Sequence, residues 1–307
     1  MSWGNIDFSR KGKAVRFAVH RFQLEAAFQP CYNTWGKGRI FVLSAGGMNH
    51  TMENYDYFVA LIVVTPTEEA GLKYIYDEWK TLTFDGDSQV YSETSFQRNG
   101  KALKVVYAKQ PEMGMTSAAV TTMKLIEHFR PKYVVMTGIA AGVAKLDIER
   151  QEYGDVVVPD VVWNYAAGKF VPASKTEIAF GGVGFIPRPL VLKTDPDILK
   201  IIEKAIKSPE NEYHAHIGPM ACGTTVVASS EIIDKQIYGQ YDKTAGLDME
   251  SYAVMYACQN ATAPRPIPII AKSVCDFANE QKSDQFQKFA AFTSSQFAKF
   301  LFEKFLP

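Results

Sequence analysis

The sequence predicts an α/β protein with a mostly parallel or mixed sheet. Two observations carry this. Short apolar runs rich in β-branched residues, such as Tyr57–Thr65 and Tyr133–Met136, have the make-up of buried strands. Each is separated from the next by a segment whose apolar residues recur at helical spacing, and this alternation continues across Phe58–Pro307. No repeat, low-complexity tract or linker divides that region.

Residues 1–50 differ from the rest of the chain. Arg10, Lys11, Lys13, Arg16, Arg21, Lys37 and Arg39 face only Asp7 and Glu25, and the periodicity is weak. They read as a basic N-terminal extension of unknown role, with residues 51–307 as the compact domain.

Tyr57–Thr65 (YFVALIVVT) reads as a buried strand running into Pro66-Thr67-Glu68-Glu69. A helical pattern continues through Leu72, Ile75, Tyr76 and Trp79. Two carboxylates therefore sit at a strand-to-helix junction. They suit the positive end of a helix dipole, and either is also placed to act as a general base at the strand's carboxyl end. Ser88–Gln97 and Leu103–Lys109 read as strands joined at Asn99-Gly100. Thr116–Phe129 has one apolar helical face and ends at Arg130-Pro131.

Tyr133–Met136 is a strand, followed by the small-residue turn Thr137–Gly142. Such a turn admits close approach of a ligand, but it is neither a GxGxxG motif nor a P-loop. Gly154–Val162 is a strand bent or edged by Pro159. Phe170–Arg188 reads as loop, Asp195–Ile206 as helix, and His216–Val227 as a strand with a glycine break. Ile232–Tyr241 and the residues after Leu247 read as helical. Gln281–Phe305 reads as a long amphipathic helix whose phenylalanines belong to the core.

Pro268–Asn279 (PIIAKSVCDFAN) is the focal stretch. An apolar strand, interrupted by Lys272, ends at Cys275, and Asp276 comes next. Ligands of open α/β sheets bind beyond the carboxyl ends of strands. Asp276 there can exchange a proton with a substrate or can cap the next helix.

Charge and composition narrow the function. The formal net charge is zero, so no basic field suggests nucleic acid as a partner. No apolar run is long enough to span a membrane, and no clear secretory signal is present, which points to the cytoplasm. Cys31, Cys222, Cys258 and Cys275 lack CxxC spacing and read as free thiols in a reducing compartment. The pair His214–His216 reads as a chance neighbourhood rather than a metal site. No metal and no cofactor is expected.

Four stretches taken together resemble the nucleoside phosphorylase and nucleosidase superfamily, especially methylthioadenosine/S-adenosylhomocysteine nucleosidases. They are Glu112–Val143, Gly154–Asp160 (GDVVVPD), Leu247–Val254 (LDMESYAV) and Val274–Asn279 (VCDFAN), in the family's order and spacing. The resemblance implies a three-layer phosphorylase/hydrolase-like fold, with a twisted mixed sheet between helices, in a homo-oligomer (dimer or hexamer). The implied partner is a small purine nucleoside or nucleotide.

Carried over by motif, Asp276 protonates or hydrogen-bonds purine N7 as the glycosidic bond breaks. Glu250 accepts the ribose hydroxyls, and Met249 lies under the sugar. Glu69 aligns best with the glutamate that activates water, with Glu68 second. Val226 and Val227 fall at base-contacting positions without aromatic stacking. Ala140 and Ala141 border the water or phosphate end, and Cys275 and Phe277 flank Asp276 in the substrate site. The resemblance thus implies hydrolysis of the N-glycosidic bond of an adenine nucleoside or nucleotide.

Departures from the family refine this. The loop VVTPTEE lacks the phosphorylases' glycine and arginine, and Met136 and Ile139 stand where an arginine and a hydroxyl residue are expected. A phosphate dianion needs donors that these positions do not supply, which favours water as nucleophile. The segment Trp163–Lys169 (WNYAAGK) resembles a WDYGSGK-type segment of a broader group of nucleosidase-like proteins, some of which cleave nucleotides, including ATP, as immune effectors. Lys145, Lys169 and Arg188 would then meet phosphates, or are simply solvated charges. Phosphate-dependent phosphorolysis and a catalytically silent nucleoside sensor remain as further alternatives.

Overall fold

A computed structural model of the 307-residue chain describes residues 54–143, 151–180 and 182–307. The basic extension (1–50) and Lys145 lie outside the described residues. The described residues fall in one unit, Asn49–Pro307.

Strand β1 (Tyr57–Val63) is buried along its whole length and leads into α1 (Pro66–Lys73). Thr65 caps α1: its hydroxyl accepts from the Glu68 N–H at 3.1 Å, while the Glu68 carboxylate accepts from the Thr65 N–H at 2.8 Å. This is a capping box, with Pro66 in the first turn. The helix stops at Lys73, so Ile75, Tyr76 and Trp79 lie beyond it.

β2 (Lys80–Leu82), β3 (Tyr91–Arg98) and β4 (Lys101–Lys109) form antiparallel hairpins. Asn99 and Gly100 turn between the last two, both at positive φ as that tight turn requires. α2 (Met115–Phe129) is next, then β5 (Pro131–Gly142). The run Thr137–Gly142, expected as a turn, extends β5, because the strand Ile267–Asp276 pairs with it residue by residue as far as Ala141.

β6 (Val156–Val158) and β7 (Val161–Asn164) are separate strands, broken at Pro159 as expected. Phe170–Arg188, expected as loop, instead holds most of a three-stranded antiparallel sheet: β8 (Gly168–Pro172), β9 (Ala179–Phe180) and β10 (Val183–Pro187). Its strands are short and largely exposed, so they lack the apolar alternation that marks a half-buried strand.

β11 (Val191–Lys193) and α3 (Pro196–Ile206, capped by Asp195) come next, followed by β12 (Ala215–Ile217) and β13 (Met220–Cys222). One turn, α4 (Ser230–Ile232), runs into a π-helical segment, Ile233–Tyr238. β14 (Gly246–Asp248), α5 (Ser251–Asn260), β15 (Ile267–Asp276) and α6 (Gln287–Lys304) complete the chain. Within α6, Phe297 and Phe302 are core residues, whereas Phe289 and Phe292 are exposed.

The main sheet has twelve strands and is mixed. At its centre β4, β1, β5 and β15 run parallel, and β6 joins β15 antiparallel. One apolar core lies under α2 and α5, with Phe129, Val254 and Met255 in it. The other lies under α1, α3 and α6, with Leu72, Ile202 and Phe297 in it. The result is helix, sheet, helix. No helix among the described residues is long and apolar enough to cross a membrane.

Candidate active site

A pocket of about 330 Å³ opens where β1, β5, β14 and β15 end. Parallel strands deliver their carboxyl ends to one side of the sheet, which is where such folds bind ligands. The pocket is lined by Glu68, Glu250 and Asp276, with Ile139, Ala140, Ala141, Val226, Val227, Met249 and Cys275 among the rest.

Asp276 ends β15 at a register shift against β5 and is buried. Its Oδ1 accepts from the Ala278 N–H at 2.8 Å, and Ala278 adopts a positive φ that turns this N–H back. Its Oδ2 is met by the Cys275 thiol at 3.3 Å and by the Lys282 ammonium. Burial, aided by the Asp276 charge, pushes the Cys275 thiol well up, so it remains a donor.

Glu250 is buried just before α5. One oxygen accepts from the Gly114 N–H at 2.8 Å, and the other from Lys272 Nζ at 2.8 Å. Lys272 also meets Asp248 Oδ2 at 3.0 Å. Burial alone would lower the Lys272 ammonium, but Asp248, Glu250 and Glu68 outweigh it and hold it above the ordinary lysine range. The lysine that interrupts the apolar β15 is thus the counter-charge beneath the pocket.

Glu68, not Glu69, reaches the pocket. Its Oε2 accepts from Val64 and Thr65 N–H at 2.7 and 2.8 Å, and its Oε1 from Ile139 N–H at 2.8 Å. The side chain therefore bridges the ends of β1 and β5. Burial pushes its carboxyl up, against the opposing pull of Lys272 and these N–H donors. Gly138 makes room for it: a Cβ there would stand 2.1 Å from Glu68 Oε1.

Glu69, expected as the water-activating residue, is one position further round α1 and points elsewhere. It pairs with Lys73 at 3.1 Å and accepts from the Tyr107 hydroxyl at 3.1 Å, on a neighbouring groove of about 850 Å³. That groove and the pocket share Met113.

Three further expected residues also lie apart. Phe277 packs edge-on to Tyr153, with ring centroids 5.2 Å apart, and is not part of the pocket lining. Lys169 and Arg188 are exposed, one in β8 and one just after β10, and neither lines the pocket. Met249, Val227, Ala140, Ala141 and Cys275 all line it, as does Val226, which is 58% exposed.

The family model described as the phosphorylase superfamily matches residues 58–306. The chain belongs to this superfamily. The uncharacterized protein y4jS of Sinorhizobium fredii is 32% identical over 244 residues, 75% of this chain and 56% of that protein. A 5'-methylthioadenosine/S-adenosylhomocysteine nucleosidase of Staphylococcus haemolyticus is 30% identical over 203 residues, 64% of this chain and 80% of its own length. The ATP nucleosidase Cap17 of Escherichia coli is 26% identical over 265 residues, 76% of this chain and 48% of its own. The chain thus spans about half the length of y4jS and of Cap17.

Among solved structures, the S-adenosylhomocysteine nucleosidase of Streptococcus pyogenes superposes with a TM-score of 0.64 at 24% identity, covering 85% of this chain and 100% of that one. This likeness shows a shared fold, here a mixed sheet between helix layers. Within that fold Asp248, Lys272 and Lys282 join the site beyond the residues expected from motif, and Glu68, ranked second to Glu69 by motif, is the one of the two that lines the pocket. Two signals for them lie in the sequence: Thr65-Pro66-Thr67-Glu68 is a capping-box sequence that ties Glu68 to the strand end, and an unbroken buried strand has no place for an uncompensated lysine.

Proposed function

We propose that the chain hydrolyses the N-glycosidic bond of adenine nucleosides, with water as the nucleophile. The observation that carries this reading is the convergence of Glu68, Glu250 and Asp276 on one pocket. In the reaction, Asp276 first takes up a proton at Oδ2, the oxygen that faces the Lys282 ammonium, and hands it to purine N7 while the C1′–N9 bond breaks and the bonding electrons leave with the base. Protonation makes the base a better leaving group. Glu250 accepts hydrogen bonds from the ribose hydroxyls, and its charge steadies the cationic sugar. Met249 packs under the sugar, and Val226 and Val227 lie along the base.

Water attacks C1′ and loses its proton to Glu68. A carboxylate has about four acceptor sites, and three of those on Glu68 are taken by Val64, Thr65 and Ile139 N–H. That leaves about one for the water. The upward shift of Glu68 makes its carboxylate a stronger base than an ordinary glutamate.

Water is favoured over phosphate by the charge of the lining. Glu68, Asp248, Glu250, Asp276 and Asp284 are five acids against Lys282 in the lining and Lys272 beneath it, so a dianion would still meet net repulsion there. The reading includes a homo-oligomer and a cytoplasmic setting.

A second reading, cleavage of adenine nucleotides, draws on the similarity to Cap17 and on Lys109 and Lys124. Both lysines line the groove that adjoins the pocket at Met113. The test is release of free adenine from methylthioadenosine, adenosine, AMP and ATP, each with and without phosphate. Phosphate-independent release from the nucleosides supports the first reading, release from AMP or ATP alone supports the second, and strictly phosphate-dependent release overturns hydrolysis.

A further inference from the structure

His214 and His216 stand either side of Ala215, so their side chains leave the same face of the chain at β12. β12 runs parallel to β6 with Ala215 opposite Val156, which brings Asp155 level with His214. The two rings converge on one atom: His214 Nδ1 lies 3.0 Å and His216 Nε2 2.8 Å from Asp155 Oδ2. All three potential ligand atoms fall within 4.8 Å of one another. The Glu152 N–H, 2.9 Å from the same Oδ2, fixes the carboxylate from behind.

We propose that Asp155, His214 and His216 form a binding site for a divalent transition-metal ion of the zinc type, separate from the pocket. Two imidazoles and a carboxylate are a donor set suited to such ions, with open positions for water. Metal bonds of about 2.0–2.2 Å in a tetrahedral site separate ligand atoms by on the order of 3.3 Å. The spacings to Oδ2 would widen by a few tenths of an ångström, the two ring nitrogens, within 4.8 Å of each other, would draw together as the exposed His214 ring turns, and the imidazoles would present lone pairs rather than N–H groups to the ion. The side chains of Asp155 and His216 are 8% and 11% exposed, whereas that of His214 is 58% exposed and gives an ion its way in.

The role that fits the location is a clamp. None of the three residues lines the pocket. The Asp155 carbonyl accepts from the Val274 N–H at 2.9 Å, and the Gly154 N–H donates to the Val274 carbonyl at 2.8 Å. An ion here would tie β12 to the strand that ends in Asp276.

The test is calorimetric titration of the untagged, metal-stripped full chain with Zn²⁺, a Co²⁺ visible spectrum, and thermal unfolding with and without Zn²⁺. Saturable binding of one ion, intense Co²⁺ d–d bands and a raised Tm are expected. His214→Ala changes a half-exposed ring and should keep the fold while weakening binding at least tenfold; His216→Ala should do the same. No saturable binding by the wild type overturns the site, as does binding that is unchanged in His214→Ala.

Discussion

Lys272 Nζ donates to Glu250 Oε2 at 2.8 Å, and both side chains are almost wholly out of water. The same ammonium holds Asp248 at 3.0 Å. Lys272→Met would leave two carboxylates buried without their counter-charge. Breaking a buried pair from one side costs about 3–5 kcal/mol, and the urea midpoint should fall accordingly. A loss below about 1 kcal/mol, the range of a surface pair, would show that Lys272 is not the support described.

Glu68 and Glu69 are neighbours with opposite surroundings. Glu68→Gln should lower kcat by about 10²–10⁴, the range for a lost general base. It should also cost some stability, because an amide N–H₂ would face a backbone N–H. Glu69→Gln removes a partly exposed pair with Lys73, keeps an amide oxygen for the Tyr107 hydroxyl, and should leave both kcat and Tm near wild type. Steady-state kinetics with thermal unfolding on both variants reads this directly; equal losses would restore Glu69 as the candidate.

The pH profile is set by the upward shift of Glu68. A general base works only when deprotonated, so kcat/KM should fall as pH drops through the raised Glu68 value. The acid limb should lie above the ordinary glutamate value of about 4.3. A limb at or below that value would contradict the assignment.

Gly138→Ala tests the position of Glu68 without touching it. The added methyl would stand 2.1 Å from Oε1 and 2.6 Å from Cδ of Glu68, at a φ of +136° that only glycine adopts easily. Three backbone N–H groups oppose any retreat of the carboxylate. The variant should lose at least tenfold in kcat and be measurably less stable. Wild-type turnover would show that Glu68 can shift without consequence.

Much of the fold and part of the site are legible in the sequence. Tyr57–Val63 and Ile267–Asp276 are readable as strands because buried parallel strands are apolar on both faces. Asp276 stands out at the end of an apolar strand run, and Glu250 through the family resemblance of its motif LDMESYAV. Motif alignment ranks Glu69 above Glu68 because spacing orders neighbours without showing which way they face; the capping box turns Glu68 inward and leaves Glu69 to the next groove. Lys272 reads in sequence only as an interruption, since its partners Asp248 and Glu250 are distant along the chain. Lys169 and Arg188, offered as phosphate contacts or solvated charges, do not line the pocket, and the short exposed sheet around them has no hydrophobic signature to read in the sequence.

The central claim is that this pocket breaks an N-glycosidic bond with Asp276 supplying the proton. The most direct measurement is chromatographic release of adenine from methylthioadenosine and adenosine in phosphate-free buffer, by wild type and Asp276→Asn side by side. The account predicts free adenine from the wild type and at least a hundredfold slower release from the folded variant. Equal rates in the two proteins, or no release by wild type from either nucleoside, would contradict it.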